Sequence, residues 1–315
     1  MARCWLWLMI LLVLPMLGSG GANAQSPAGP GGRNAIAVTL VTESDRPAAG
    51  KIVTAALVMR PEKGWHGYWQ NPGDAGSEMR IVWDLPAGVA AGRLNYPVPG
   101  RLTIAGLMNY VYEDDYAPLV ELRIPAGIAT GTRLPVRAKL DYLACTDRIC
   151  VPETATVATE LIVGNGAAAP ERRALFDGYR QQLPKPLGSA ARFEHAGGKL
   201  RLAVPLPESL ALSDVYFFPT DPRAIAHAAP QSISRSGDML IVEAEAARDA
   251  PRLAALEGVL KIGPGNGLSL RAAPGAVPAA GGALAAAAAG QGRLLALALL
   301  GAIAGGLLLN VMPCV

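Results

Sequence analysis

The sequence predicts a mainly β chain: two immunoglobulin-like β-sandwich domains in tandem, followed by a C-terminal transmembrane helix. Three observations predict it. Runs of β-branched or alternating apolar residues recur at 35–42, 52–59, 79–83, 119–124, 136–144, 154–163, 200–204, 239–243 and 259–262. Turn clusters punctuate them, among them NPGD at 71–74, PVPG at 97–100 and GGK at 197–199, where glycine, proline and asparagine supply the backbone angles a reversal needs. Residues 294–315 carry a single strongly polar side chain, Asn310.

Taken in order, residues 1–24 read as a secretory signal peptide: Arg3 near the start, an apolar stretch over 5–17, and the small-x-small site Ala22-Asn23-Ala24. Cys4 leaves with it. The roughly 250 residues that follow, up to the apolar end, suit two modest domains better than one large one. The break falls at the linker GNGAAA, 164–169, giving a first β-domain over 25–166. A linker helix is expected over 167–184, because Pro170 sits where a helix can accept it and Glu171 follows in the first turn. The second β-domain then covers 185–271.

Residues 272–293, rich in alanine, glycine and proline, read as a tether, with Arg293 at the edge of the apolar segment. Residues 294–315 are long enough to cross a hydrocarbon core of about 30 Å at about 1.5 Å per residue. A buried core helix is the alternative, but no amphipathic stripe separates an inner from an outer face. With no polar residue after the span, the expectation is that the natural polypeptide continues into further membrane helices.

Charge excludes one class of function. A formal charge of +3, with 28 basic and 25 acidic residues scattered along the chain, gives no basic surface for nucleic acid.

The chain has four cysteines. Once the leader is gone, only Cys145 and Cys150 precede the apolar end, where Cys314 lies. On a helix, positions five apart diverge by about 140°, so no unstrained disulfide closes and a helical thioredoxin-type site is excluded. In a hairpin, a connection over 146–149 sets the flanking residues opposite each other at about 4.5–5.5 Å between Cα atoms, within disulfide range. Val136, Ala138, Leu140, Tyr142 and Ala144 alternate with Arg137, Lys139, Asp141 and Leu143. Cys145 falls on the charged register, which predicts a sulfur near solvent.

Spacing leaves a structural crosslink and an exchangeable switch equally open. So small a ring is a weak staple, and exposed disulfides exchange readily. Arg148 favours a thiolate and Asp147 opposes it, so these neighbours do not decide which sulfur attacks. A soft-metal site, two thiolates holding Cu(I) with Met79, Met108 or His66, is a third reading, without Cys-x-x-Cys or paired-histidine spacing to support it.

Trp65, His66, Tyr68 and Trp69 either shield a redox site or form a structural corner fixed by the turn at 71–74, the second being expected. Asn109, Tyr110, Tyr112 and Tyr116, beside the acidic residues 113–115, either serve as a cap or partner-binding rim or form a solvated acidic loop, again with the second expected. His195 and His227 have no neighbouring ligand types and are assigned no chemistry.

Three segments, GWHGYWQNPGDAG at 64–76, DYLACTDRICVPE at 141–153 and GGLLLNVMPCV at 305–315, resemble the DsbD family of thiol:disulfide interchange proteins, in particular the branch called suppressor of copper sensitivity protein B (ScsB). The resemblance spans nearly the whole exported chain. Its spacing departs from the usual DsbD pattern, where five residues rather than four separate the cysteines.

The resemblance implies an inner-membrane-anchored periplasmic protein-disulfide reductase of tandem immunoglobulin-like domains. Electrons from cytoplasmic thioredoxin would pass through membrane cysteines, of which Cys314 would be one, to the pair Cys145 and Cys150, and on to thioredoxin-fold periplasmic partners. No cofactor is implied, and Cys150 is the expected attacking sulfur. The competing reading is a non-enzymatic periplasmic domain that binds copper or scaffolds partners.

Overall fold

The computed structural model describes residues 33–281. The expected signal peptide, most of the tether, the apolar segment 294–315 and Cys314 lie outside the described residues. Among the described residues no helix is long and apolar enough to cross a membrane.

The first ten strands are β1 (Ile36–Thr42), β2 (Ile52–Pro61), β3 (Gly67–Gly73), β4 (Arg80–Asp84), β5 (Ala90–Ala91), β6 (Gly100–Ile104), β7 (Leu107–Tyr112), β8 (Leu119–Arg123), β9 (Arg133–Cys145) and β10 (Cys150–Ile162). They form three sheets, ordered β1-β2-β8-β5, β10-β9-β4 and β3-β7-β6. The first two enclose a core that includes Leu57, Met59, Val120, Leu122, Val136 and Leu140. The alternation read from the sequence is visible along β9, where Leu134, Val136, Ala138, Leu140 and Tyr142 are buried between exposed or partly exposed neighbours. Polar ties close the sandwich: the buried Glu153 carboxylate accepts from Ala35 N at 2.5 Å and Ile36 N at 3.1 Å, and the Tyr142 hydroxyl donates to Ile36 O at 2.7 Å. These satisfy backbone donors that would otherwise be costly to bury.

Helix α1 (Pro170–Gln182) starts with proline in its first turn, as expected, and Glu171 stands beside it at the positive end of the helix dipole. It docks onto the first domain: Phe176, wholly buried, fits against Ala56, Val58, Ala117 and Leu119 on the outer side of β2 and β8.

The rest of the chain supplies β11 (Lys185–Pro186), β12 (Arg192–Ala196), β13 (Lys199–Pro205), β14 (Tyr216–Pro219), β15 (Ser232–Ser236), β16 (Met239–Glu245), β17 (Leu256–Gly263) and β18 (Asn266–Pro274). These order as β14-β17-β18-β12-β13-β16-β15, with β11 also paired to β18. Phe193, Leu202, Phe217, Leu240 and Leu260 fill their core. Strand β18 runs on to Pro274 and Val277 is buried, so the first residues of the expected tether are part of the folded body.

The sequence placed Asn109, Tyr110 and Tyr112 in a solvated acidic loop. They lie instead in β7, and Asn109, Tyr110, Tyr112 and Tyr116 are all buried, with Tyr112 and Tyr116 stacked at 4.1 Å between centroids. Only 113–115 remain exposed. Aromatic area wins because the third sheet has packing partners on both of its faces.

Candidate functional site

The site lies at the end of the long β9–β10 hairpin. Cys145 exchanges both backbone hydrogen bonds with His66, N to O at 3.1 Å and O from N at 2.8 Å. Its pairing with Cys150 is therefore of the non-hydrogen-bonded kind, in which side chains approach most closely. The two Cα atoms are 4.1 Å apart and a disulfide joins the sulfurs. The connection is held by Thr146, whose N–H donates to Ile149 O at 2.8 Å while its hydroxyl oxygen accepts from Arg148 N and Ile149 N, each at 3.1 Å. A side-chain oxygen stands in for a backbone acceptor, a usual task of threonine in turns. Asp147 and Arg148 form only an exposed ion pair at 3.8 Å, of little energetic weight.

Burial is asymmetric across the bridge. Cys150 is exposed, whereas Cys145 is 0% exposed. This corrects the expectation that the Cys145 sulfur lies near solvent. Its register does share a face with Arg137 and Lys139, but at this end of β9 that face is roofed by the β3-β7-β6 sheet. Tyr68, Val111 and Leu102 from the roof, with Leu143, enclose Cys145.

The aromatic run divides by role. The Tyr68 hydroxyl lies 3.9 Å from Cys150 Sγ, a loose polar contact, and 3.4 Å from His66 Nε2. Burial lowers the His66 pKa and raises that of Tyr68, so both are neutral near pH 7 and neither brings charge to the sulfurs. Trp69, wholly buried, faces the opposite way and meets Phe218 edge to face. The expected structural corner is thus also a shield, supplied by Tyr68 and His66.

Among the described residues no group of three or more histidine, cysteine or acidic side chains is arranged to hold a metal. Of the residues weighed from the sequence as copper ligands, the cysteines are joined to each other, Met79 lies in the core, His66 is buried beside Tyr68 and the Met108 sulfur lies 4.0 Å from the Thr103 hydroxyl. A cleft of about 560 Å³ runs past Trp69, Tyr96, Leu187 and Arg271 and touches neither cysteine. Cys150 itself is exposed on the surface at the end of the hairpin. His227, to which the sequence assigned no chemistry, is buried against Tyr110, its Nδ1 2.9 Å from the Tyr110 hydroxyl.

Residues 37–161 match the family model described as "Thiol:disulfide interchange protein DsbD, N-terminal". The N-terminal periplasmic domain of ScsB from Proteus mirabilis superposes with a TM-score of 0.55 at 17% identity, covering 76% of this chain and 92% of that one. The reduced N-terminal domain of DsbD from Neisseria meningitidis matches at 16% identity with a TM-score of 0.25, covering 43% of this chain and 89% of that one. No curated protein sequence matches.

Proposed function

We propose that this chain, a DsbD/ScsB-like protein, is a periplasmic protein-disulfide reductase module in which Cys150 meets the partner and Cys145 resolves the exchange. The observation that carries the proposal is the asymmetry of the bridge, one sulfur-bearing residue exposed and the other enclosed. In the reduced protein, the Cys150 thiolate attacks one sulfur of the partner's disulfide. That bond breaks, the partner's other sulfur leaves as a thiolate, and a mixed disulfide forms. The Cys145 thiolate then attacks Cys150 Sγ, releases the partner as a dithiol and closes the bridge seen here. Two electrons have passed to the partner and the pair is oxidised.

Regeneration runs the same steps backwards with a donor dithiol. Its thiolate attacks Cys150 Sγ and expels Cys145. The donor in this reading is a membrane cysteine pair that includes Cys314, and the acceptors are thioredoxin-fold proteins of the periplasm. The module is anchored by the apolar segment 294–315. Two cysteines suffice for the chemistry without a cofactor.

The test is trapping. Reduced Cys145→Ser chain mixed with an oxidised thioredoxin-fold disulfide protein accumulates a mixed disulfide through Cys150, seen on non-reducing gels and by mass. Reduced Cys150→Ser chain does not. The opposite pattern, or no adduct with either variant, overturns the proposal.

A further inference from the structure

The roof over the disulfide has two faces, and both are occupied. Alternation along its strands sends Tyr68, Leu102 and Val111 toward Cys145 and their chain neighbours Trp69, Arg101 and Tyr110 the other way. On that back face, the partners come from the second domain. The Tyr110 hydroxyl lies 3.1 Å from the Tyr216 hydroxyl and 2.9 Å from His227 Nδ1. His227 Nε2 lies 2.7 Å from Pro222 O, and a carbonyl only accepts, so Nε2 carries the proton. Nδ1 then accepts from Tyr110, whose oxygen in turn accepts from Tyr216. Arg101 stands 4.5 Å over the Tyr216 ring and pairs with Asp214 at 2.5 Å, and Lys261 holds the same carboxylate at 2.6 Å. Asn71 Nδ2 donates to Pro219 O at 2.7 Å, and Phe218 meets Tyr110 edge to face at 4.8 Å.

We propose that the second domain is a clamp that holds the β3-β7-β6 sheet down over the Cys145–Cys150 pair, with Arg101, Tyr110, Asp214, Tyr216 and His227 as positioning residues for exchange at Cys150. The role in exchange rests on the function proposed above. When a thiolate attacks Cys150 Sγ, the departing charge is born on Cys145, which is sealed from water. An enclosed thiolate is costly. Lifting the roof admits water to that sulfur and frees Cys150 from Tyr68. The fraction of molecules with the roof lifted is set by what the back face stands to lose, which is the contact with the second domain.

Reduction by dithiothreitol tests the clamp. Its thiolate attacks Cys150 Sγ, the Cys145 thiolate leaves and takes a proton, and the second thiol of the reagent closes its ring, leaving two protein thiols and oxidised reagent. Measured on the oxidised chain well below its unfolding temperature, Asp214→Asn, Arg101→Gln and Tyr110→Phe each speed reduction by about five- to tenfold, the population change expected when a modest contact is lost. Leu240→Ala, a truncation in the second-domain core away from the back face, lowers the melting temperature without changing the rate. Asp214 and Arg101 are partly exposed, so their variants fold even if Tyr110→Phe does not. Rates within twofold of the parent in Asp214→Asn and Arg101→Gln overturn the clamp, as does equal acceleration in Leu240→Ala. Failure of the Cys145→Ser chain to trap a partner ends the exchange reading, and with it the role of these residues in exchange, whereas unchanged dithiothreitol kinetics end the clamp alone.

Discussion

Tyr68 and Trp69 are adjacent in the chain and serve opposite sides of one strand: the Tyr68 hydroxyl lies 3.9 Å from Cys150 Sγ, and the Trp69 ring meets Phe218 of the second domain at 6.1 Å between centroids. One step along the chain thus separates the Cys145–Cys150 disulfide from the aromatic core around Phe218. The period of a β-strand makes this possible, since neighbours point to opposite faces, and it makes the third sheet the physical link between the β9–β10 hairpin and strand β14.

The two thiols of the reduced protein should differ in reactivity. A short pulse of iodoacetamide modifies Cys150 about tenfold or more faster than Cys145, because only the exposed thiolate meets the reagent. Peptide mass spectrometry after the pulse measures the ratio, and equal labelling would mean that the roof does not stay closed in the reduced state.

Gly76 fixes the shield from beneath. Its φ is +91°, and a Cβ there would stand 2.3 Å from Tyr68 Cε1. Gly76→Ala is expected to cost about 2–4 kcal/mol from strained backbone and a displaced ring. It also hastens reduction of the disulfide, since Tyr68 must move. Denaturant melts and dithiothreitol kinetics on the same sample check both halves.

Acid should weaken the fold through two histidines. Burial lowers the pKa of His66 and His227 below the usual value of 6.5. The unfolded chain therefore binds protons first as pH falls, so their contribution is fully present above about pH 6.5 and is lost as pH drops through the folded values. Urea midpoints taken between about pH 7.5 and 4.5 fall with acidity, and His227→Gln flattens part of that slope. A slope identical to the parent's would show that His227 binds its proton equally well in the folded and unfolded chain.

Glu153 secures the start of the first strand. Its carboxylate accepts from Ala35 N and Ile36 N in a buried setting. Glu153→Ala leaves both donors unpaired and costs about 2–4 kcal/mol, whereas Glu153→Gln, which keeps an acceptor oxygen, costs less. Chemical denaturation of the two variants gives the ordering.

The hairpin was legible because β9 is buried on one face and wet on the other over most of its length. Its strict alternation fixed the strand, and a connection over 146–149 set Cys145 opposite Cys150. The helix at 170–182 announced itself by proline and an early acid. The roof was not legible, for a reason visible in its burial. Gly67, Tyr68 and Trp69 are all buried in succession, as are Asn109, Tyr110, Val111 and Tyr112. A strand packed on both faces loses the period-two signal, and here glycine and proline interrupt what remains, so the residues read as corner and loop.

The sequence by itself determined that Cys145 and Cys150 come within disulfide reach and that the body is built of strands, because both follow from local spacing and alternation. Which sulfur faces the solvent was decided only by tertiary structure. Cys145 sits on the charged register of its strand and would be wet in an isolated hairpin. It is dry because a sheet assembled from residues 67–73, 100–104 and 107–112 lies across it, held from behind by side chains more than a hundred positions further along the chain. Contacts at such separation leave no local pattern to read.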